Sequence, residues 1–197
     1  TAERARQLRI PLMVRDNRSQ HETNFTVSID ATHSIGPGVS ARQRAHTILE
    51  AVQADATPSD ISQPGHIFPL VAKPGGVLQR AGHTEAGVDL ARMAGCEPAA
   101  VIVEIMNEDG TMARRPELEV FAKKHNLRIG TIADLIEYRA LHEQSVRCTG
   151  EFPIDTQWGK FTLTTFEDLV DGQIQYALHQ GDLTAADLPV RIQPINT

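Results

Sequence analysis

Four helix starts punctuate the first 142 residues, and short β-branched runs lie between them. Ser40-Ala41-Arg42-Gln43 has capping-box spacing, in which two side chains satisfy each other's orphaned backbone donors. A helix is predicted from Ser40 to about Val52, with Ala45, Ile48, Leu49 and Val52 on one face. His83 or Thr84 starts a second helix that runs to about Ala94, where Gly95 stops it. Pro116 suits the first turn of a third, ending at His125, and Thr131 caps a fourth that runs to about His142. Thr1 to Leu8 is helical in pattern. Phe25, Val27 and Ile29 alternate along Asn24–Asp30, the signature of a half-buried strand. Pro98 to Met106 reads as a buried strand, and Leu127 to Ile129 as a short one. This alternation predicts an α/β layered domain (α+β in some schemes), a mixed β-sheet flanked by helices over residues 1–145. Beyond a boundary near Ser145 to Pro153 helical periodicity fades. Trp158–Phe166, Gln173–His179 and Pro189–Ile195 predict a short β-rich segment over 151–197.

Composition narrows the function. The chain is 41% hydrophobic and 22% charged, ordinary for a globular domain, and its net charge of −6 gives no footing for general nucleic-acid binding. No apolar run approaches a bilayer span, so no membrane partner is expected. Cys96 and Cys148 form no C-x-x-C pair, and with no apolar leader at Thr1 a cytoplasmic protein is expected. The opening on Thr1, within a helical pattern, suggests that further residues normally precede it. Walker A, G-x-G-x-x-G, G-x-S-x-G and H-E-x-x-H patterns are absent from the sequence.

The chemistry-bearing residues concentrate between Pro64 and Glu104. His66 follows Pro64-Gly65, a pair that makes a tight turn and can present an imidazole for proton transfer; a histidine bonded to loop backbone would read the same. In Arg80-Ala81-Gly82-His83-Thr84, Gly82 permits close approach of a ligand, and the helix start behind it offers free N–H groups to a phosphate. Arg80 can add a charged contact, His83 can ligate a metal, and Thr84 can cap the helix or bind substrate. A plain Thr cap beside a surface arginine is the bland alternative. Glu104 interrupts an apolar run; if partly buried near a cation it is an acid/base candidate, whereas strict alternation would put it on a wet face.

These motifs closely resemble the 3,4-dihydroxy-2-butanone 4-phosphate synthase family of riboflavin biosynthesis. The likeness runs from Ile10 to about His142. It is carried by Phe25-Thr26-Val27-Ser28-Ile29-Asp30-Ala31, Gly38-Val39-Ser40-Ala41, Pro64-Gly65-His66-Ile67-Phe68-Pro69-Leu70, Gly75-Gly76-Val77-Leu78, Arg80-Ala81-Gly82-His83-Thr84-Glu85-Ala86, Val103-Glu104 and Asp109-Gly110-Thr111-Met112-Ala113-Arg114. The resemblance implies a lyase that converts ribulose 5-phosphate to the butanone phosphate and formate with Mg²⁺ or Mn²⁺, as a homodimer with active sites at the subunit interface. It implies His66 and Glu104 as catalytic residues and His83 as a metal ligand. Arg80, Ala81, Gly82, His83, Thr84 and Glu104 would contact substrate.

Three departures qualify the likeness. The family's acidic metal-binding motif does not occur in this sequence, so a protein that truly began at Thr1 would be inactive. Pro37 stands where the family usually has Thr, removing a hydroxyl and a backbone N–H. His21-Glu22-Thr23 replaces an aromatic-Gly-Thr triplet. A catalytically weak scaffold homologue is the alternative these departures suggest. The C-terminal part resembles the opening strands of a GTP cyclohydrolase II domain through Trp158-Gly159-Lys160-Phe161 and Gly181-Asp182, implying a truncated or degenerate remnant of a bifunctional fusion.

Overall fold

The structure is a computed structural model that describes residues 1–19, 23–33, 36–184 and 187–194. The chain divides into two compact units, Thr1–Glu143 and Gln144–Thr197. In the first, helices α1 (Ala2–Gln7), α2 (Ala41–Val52), α3 (His83–Met93), α4 (Arg115–His125) and α5 (Ile132–His142) accompany strands β1 (Ile29–Ala31) and β2 (Ile61–Ile67), which pair antiparallel. The second unit is an antiparallel meander of β3 (Val146–Thr156), β4 (Gly159–Asp168) and β5 (Ile174–His179), with β4 in the middle. The α/β class therefore holds, in the form of helices combined with antiparallel strand pairs.

All four predicted helix starts are found. Ser40 Oγ accepts from Gln43 N while Gln43 Oε1 accepts from Ser40 N, closing the capping box. Thr131 Oγ1 accepts from Asp134 N at 3.1 Å, and Pro116 lies in the first turn of α4. At α3, Gly82 is the cap residue and makes no side-chain bond, so Thr84 is a second-position helical residue rather than the cap. The face of α2 differs from the sequence expectation. Ala45 and Leu49 are exposed, and the buried position is Thr47. Its hydroxyl accepts from Ala31 N at 3.0 Å and donates to Gln43 O at 3.2 Å, so a polar contact joins α2 to the end of β1. Leu8, Ile10, Ile29, Ala56 and Ile61 form the core beneath the strand pair, with Val27, Ala51 and Ile67 packed against it. Fully burying a side chain such as Leu8 or Ile29 contributes about 1.5–3 kcal/mol. Arg4 and Gln7 fasten α1 alongside by donating to Gln53 O and Ala56 O.

The strand expectations need correction. Only Ile29–Ala31 of the predicted Asn24–Asp30 strand pairs as a ladder; Phe25 and Thr26 make isolated bridges to Leu70 and Leu12, and Phe25 is exposed. Pro98–Met106 is not a buried strand. Val101 is 70% and Val103 83% exposed, Glu104 is exposed, and no ladder forms there among the described residues. Leu127–Ile129 is likewise exposed and joins no ladder among the described residues. Strand propensity measures fit against neighbouring strands, and β-branched residues alone do not create a ladder. Conversely, β3 occupies the stretch read as a boundary. It is an edge strand with a register shift at Cys148/Gly150 and carries Pro153, features that hide a strand from pattern reading and are tolerated at an edge. Residues 189–194 form no strand, and Ile195 lies outside the described residues, as do His21, Glu22, Ser34 and Ile35.

Two stability results are expected. Thr47→Val leaves Ala31 N–H without its acceptor and should lower unfolding free energy by about 1–3 kcal/mol, read from the urea midpoint, while Thr47→Ser retains the bond. At the end of α5, Arg139 forks onto Glu143, with Nε 2.9 Å from Oε1 and Nη2 2.7 Å from Oε2. That hydrogen bond holds the Glu143 carboxyl below its ordinary value, outweighing slight desolvation. A depressed carboxyl pKa stabilises the fold above the unfolded value and ceases to do so as pH falls through the folded one. Glu143→Gln should therefore lower the melting temperature slightly at neutral pH, and its deficit against wild type should close in acid below the ordinary glutamate range.

Candidate active site

Two constructions present polar chemistry on the first unit. The first is a bulge in β2. Ile29 pairs with Ile67 but Asp30 pairs with Ser62, so Gln63–His66 has no partner on β1 and arches outward. Gly65 sits where any Cβ would lie 2.1 Å from the Ile29 carbonyl carbon, so only glycine lets the arch cross β1 this closely. Gly65 N donates to Ser28 Oγ, and His66 N donates to Asp30 Oδ1 at 3.0 Å. The His66 ring then meets the same carboxylate, with Nδ1 2.7 Å from Asp30 Oδ2. A carboxylate oxygen accepts, so this contact favours the tautomer with the proton on Nδ1 and Nε2 as the free acceptor. Gly38 closes the other side: it has φ +80°, and a Cβ there would lie 2.4 Å from Asp30 Oδ2. Asp30 is largely buried and His66 about half exposed, the arrangement of an oriented base.

The second construction is the approach to α3. Glu85 and Asp89, one helical turn apart, are 1% and 2% exposed. Each holds one backbone N–H of the preceding loop and one arginine. Glu85 accepts from Lys73 N at 2.9 Å and from Arg80 Nη1 at 2.5 Å. Asp89 Oδ2 accepts from Val77 N and from Arg139 Nη1, both at 2.8 Å. Arg80 also donates through Nη2 to Thr23 Oγ1 at 3.3 Å. Gly82 leaves room for this pair, because a Cβ would lie 2.1 Å from Arg80 Nη1 and 2.6 Å from Glu85 Oε2 and push them aside. Arg80 is thus pre-oriented and its charge partly compensated.

His83 is the first residue of α3, exposed, and makes no hydrogen bond or ion pair among the described residues. Thr84 lines a cavity of about 360 Å³ that His66 also lines, together with Phe68, Val88 and residues 99–102. Most of its lining is apolar, including Leu8, Ile10, Ile29 and Val52, and Asp30, Arg80, Gly82, His83, Glu85 and Asp89 do not line it. Glu104 does not line it, and it is exposed without a hydrogen bond or ion pair among the described residues. As for a metal, no group of three or more His, Cys, Asp or Glu side chains among the described residues is arranged to hold one. His83 fits as a single exposed donor, and a hard divalent cation needs several oxygen ligands besides.

Sequence reading missed Asp30, Glu85 and Asp89. Asp30 was hidden because its partner His66 is 36 positions away across a bulge. Glu85 and Asp89 did carry a signal, since their spacing puts two carboxylates on a helix side that also bears Ala86 and Val88. Pro37 is exposed in the loop that delivers Gly38.

Comparison with known proteins identifies the family. Residues 1–138 match the family described as 3,4-dihydroxy-2-butanone 4-phosphate synthase. A protein of that name from Photobacterium phosphoreum is 54% identical over 181 residues, covering 92% of this chain and 50% of the relative. Among solved structures, RibBX of A. baumannii, a two-domain 3,4-dihydroxy-2-butanone 4-phosphate synthase, superposes with a TM-score of 0.83 at 55% identity over 91% of this chain and 53% of that one. A 3,4-dihydroxy-2-butanone 4-phosphate synthase in complex with two magnesium ions matches with a TM-score of 0.64 at 38% identity over 72% of this chain and 71% of that one. The chain spans about half the length of the curated relatives it matches. Its matched residues and their arrangement make it a member of the 3,4-dihydroxy-2-butanone 4-phosphate synthase family.

Proposed function

We propose that the protein converts D-ribulose 5-phosphate to 3,4-dihydroxy-2-butanone 4-phosphate and formate, in riboflavin biosynthesis. The observation that carries this reading is the carboxylate-oriented His66, which lines a cavity that Thr84 of α3 also lines. Enolising a ketose phosphate needs a general base, and His66 offers Nε2, with Asp30 holding its Nδ1. Arg80, Ala81, Gly82, His83 and Thr84 form the substrate-binding turn, where the uncapped N–H groups of α3 and the Arg80 guanidinium favour a phosphate. Because Glu85 already compensates Arg80, the arginine positions the phosphate and the helix start supplies much of the attraction. Glu104 takes the further proton transfers and contacts substrate, an assignment that comes from the family resemblance. A divalent cation, Mg²⁺ or Mn²⁺, held in part by His83, would supply positive charge to the ene-diolate.

We further propose a cytoplasmic homodimer with active sites at its interface. The apolar, exposed run 99–103 supports an interaction surface near the cavity. No described helix is long and apolar enough to cross a membrane. Residues 1–145 form the synthase domain in this reading. Residues 151–197 are a partial GTP cyclohydrolase II-like segment, supported by the Trp158-Gly159-Lys160-Phe161 turn into β4 and by the adjacent β5.

Full-length protein given ribulose 5-phosphate and Mg²⁺ should release formate in amounts equal to the butanone phosphate; no formate at saturating substrate and metal would refute the assignment. His66→Ala should lower kcat by about 10²–10⁴-fold. Asp30→Ala leaves the imidazole present but unaimed and should cost about 10–100-fold in kcat with little change in KM, as measured by initial rates.

A further inference from the structure

The active-site turn is held from behind by a residue on a different helix. Arg139, on α5, is 8% exposed and donates from Nη1 both to Gly75 O at 3.0 Å and to Asp89 Oδ2 at 2.8 Å. The same Asp89 oxygen accepts from Val77 N. One guanidinium and one carboxylate thus bracket the Gly75-Gly76-Val77 turn on both sides of Gly76. Gly76 has φ +61°, and a Cβ there would lie 2.2 Å from Asp89 Oδ1 and 2.5 Å from Arg139 Nη1, so the turn closes directly onto the ion pair. Asp89 Oδ1 is buried and makes no hydrogen bond among the described residues; its other cation is Arg92 Nη1 at 3.8 Å. The turn leads within three residues to Arg80, whose backbone N–H donates to Gly76 O at 3.0 Å. Any shift at Gly76 is therefore passed to Arg80 through the backbone.

We propose that Arg139, acting through Asp89, is a positioning residue that sets the substrate-binding turn Arg80–Thr84 without touching substrate. The inference rests on the proposed role of that turn. His66 and Asp30 lie on β2 and β1, apart from this clamp, so loosening it withdraws binding contacts while leaving the base oriented. Contacts made equally to substrate and transition state affect KM more than kcat.

The test uses full-length protein and the variants Arg139→Gln, Arg139→Lys and Asp89→Asn, with initial rates on ribulose 5-phosphate at a temperature where each remains folded. Amide hydrogen exchange over residues 73–79 is measured in parallel. Arg139→Gln and Asp89→Asn should raise KM by about tenfold or more, with a smaller change in kcat, and should speed exchange over 73–79. Arg139→Lys, which keeps the charge opposite Asp89, should recover part of the KM. Variants that melt earlier but keep wild-type KM and wild-type exchange over 73–79 would overturn the proposal, leaving the pair a purely structural one. Should Arg139→Gln fail to fold, Asp89→Asn, which retains an acceptor for Val77 N, carries the same test. If wild-type protein releases no formate, the functional reading fails on its own, and unchanged exchange over 73–79 in the variants would still refute the clamp.

Discussion

Two carboxylates on one side of α3 fix the backbone that precedes it. Glu85 and Asp89 are buried, and buried carboxylates are stable only when hydrogen bonds and cations replace their water. Each accepts from one backbone amide and one arginine, Asp89 having Arg92 nearby as a second cation, and the amides they hold, at Lys73 and Val77, are also four residues apart. Helical spacing on α3 is thereby imprinted on the loop. The turn that carries Arg80, Gly82 and His83 has a defined path because the helix it introduces holds it.

The other half of the site depends on a mismatch between two short strands. A regular β1–β2 ladder would spread Gln63–His66 along the strand pair. The register shift lifts them out instead, and Asp30 anchors the arch through both the backbone and the ring of His66. Gly65 and Gly38 are then needed: one lets the arch cross β1, and the other has φ +80° and leaves room for the Asp30 carboxylate. Two glycines that look like loop filler in the sequence are consequences of one histidine's placement.

Local rules read the helices well because their information is local. The Ser40–Gln43 box, Pro116 and the Thr131 cap each act within one turn, and each is found where its residues predict. The strands depended on partners that local reading cannot supply. Val101-Ile102-Val103 has the right composition but no ladder among the described residues, while polar, proline-bearing β3 pairs from Val146 to Thr156, apart from its bulge at Thr149, because β4 lies beside it. The site divides the same way. The contiguous run Arg80–Thr84 was legible, whereas Asp30 behind His66 and Arg139 behind Gly76 join residues 36 and 63 positions apart. Glu104, read from an interrupted apolar run, is exposed and stands outside the cavity that His66 and Thr84 share.

In the proposed reaction His66 and the Arg80–Thr84 turn together excise one carbon from a ketose phosphate. Its most direct test is the fate of a label. Full-length protein supplied with ribulose 5-phosphate carrying ¹³C at its fourth carbon should give labelled formate and an unlabelled four-carbon phosphate, both read by ¹³C NMR. Label retained in the four-carbon product, or substrate recovered unchanged with metal saturating, would contradict it.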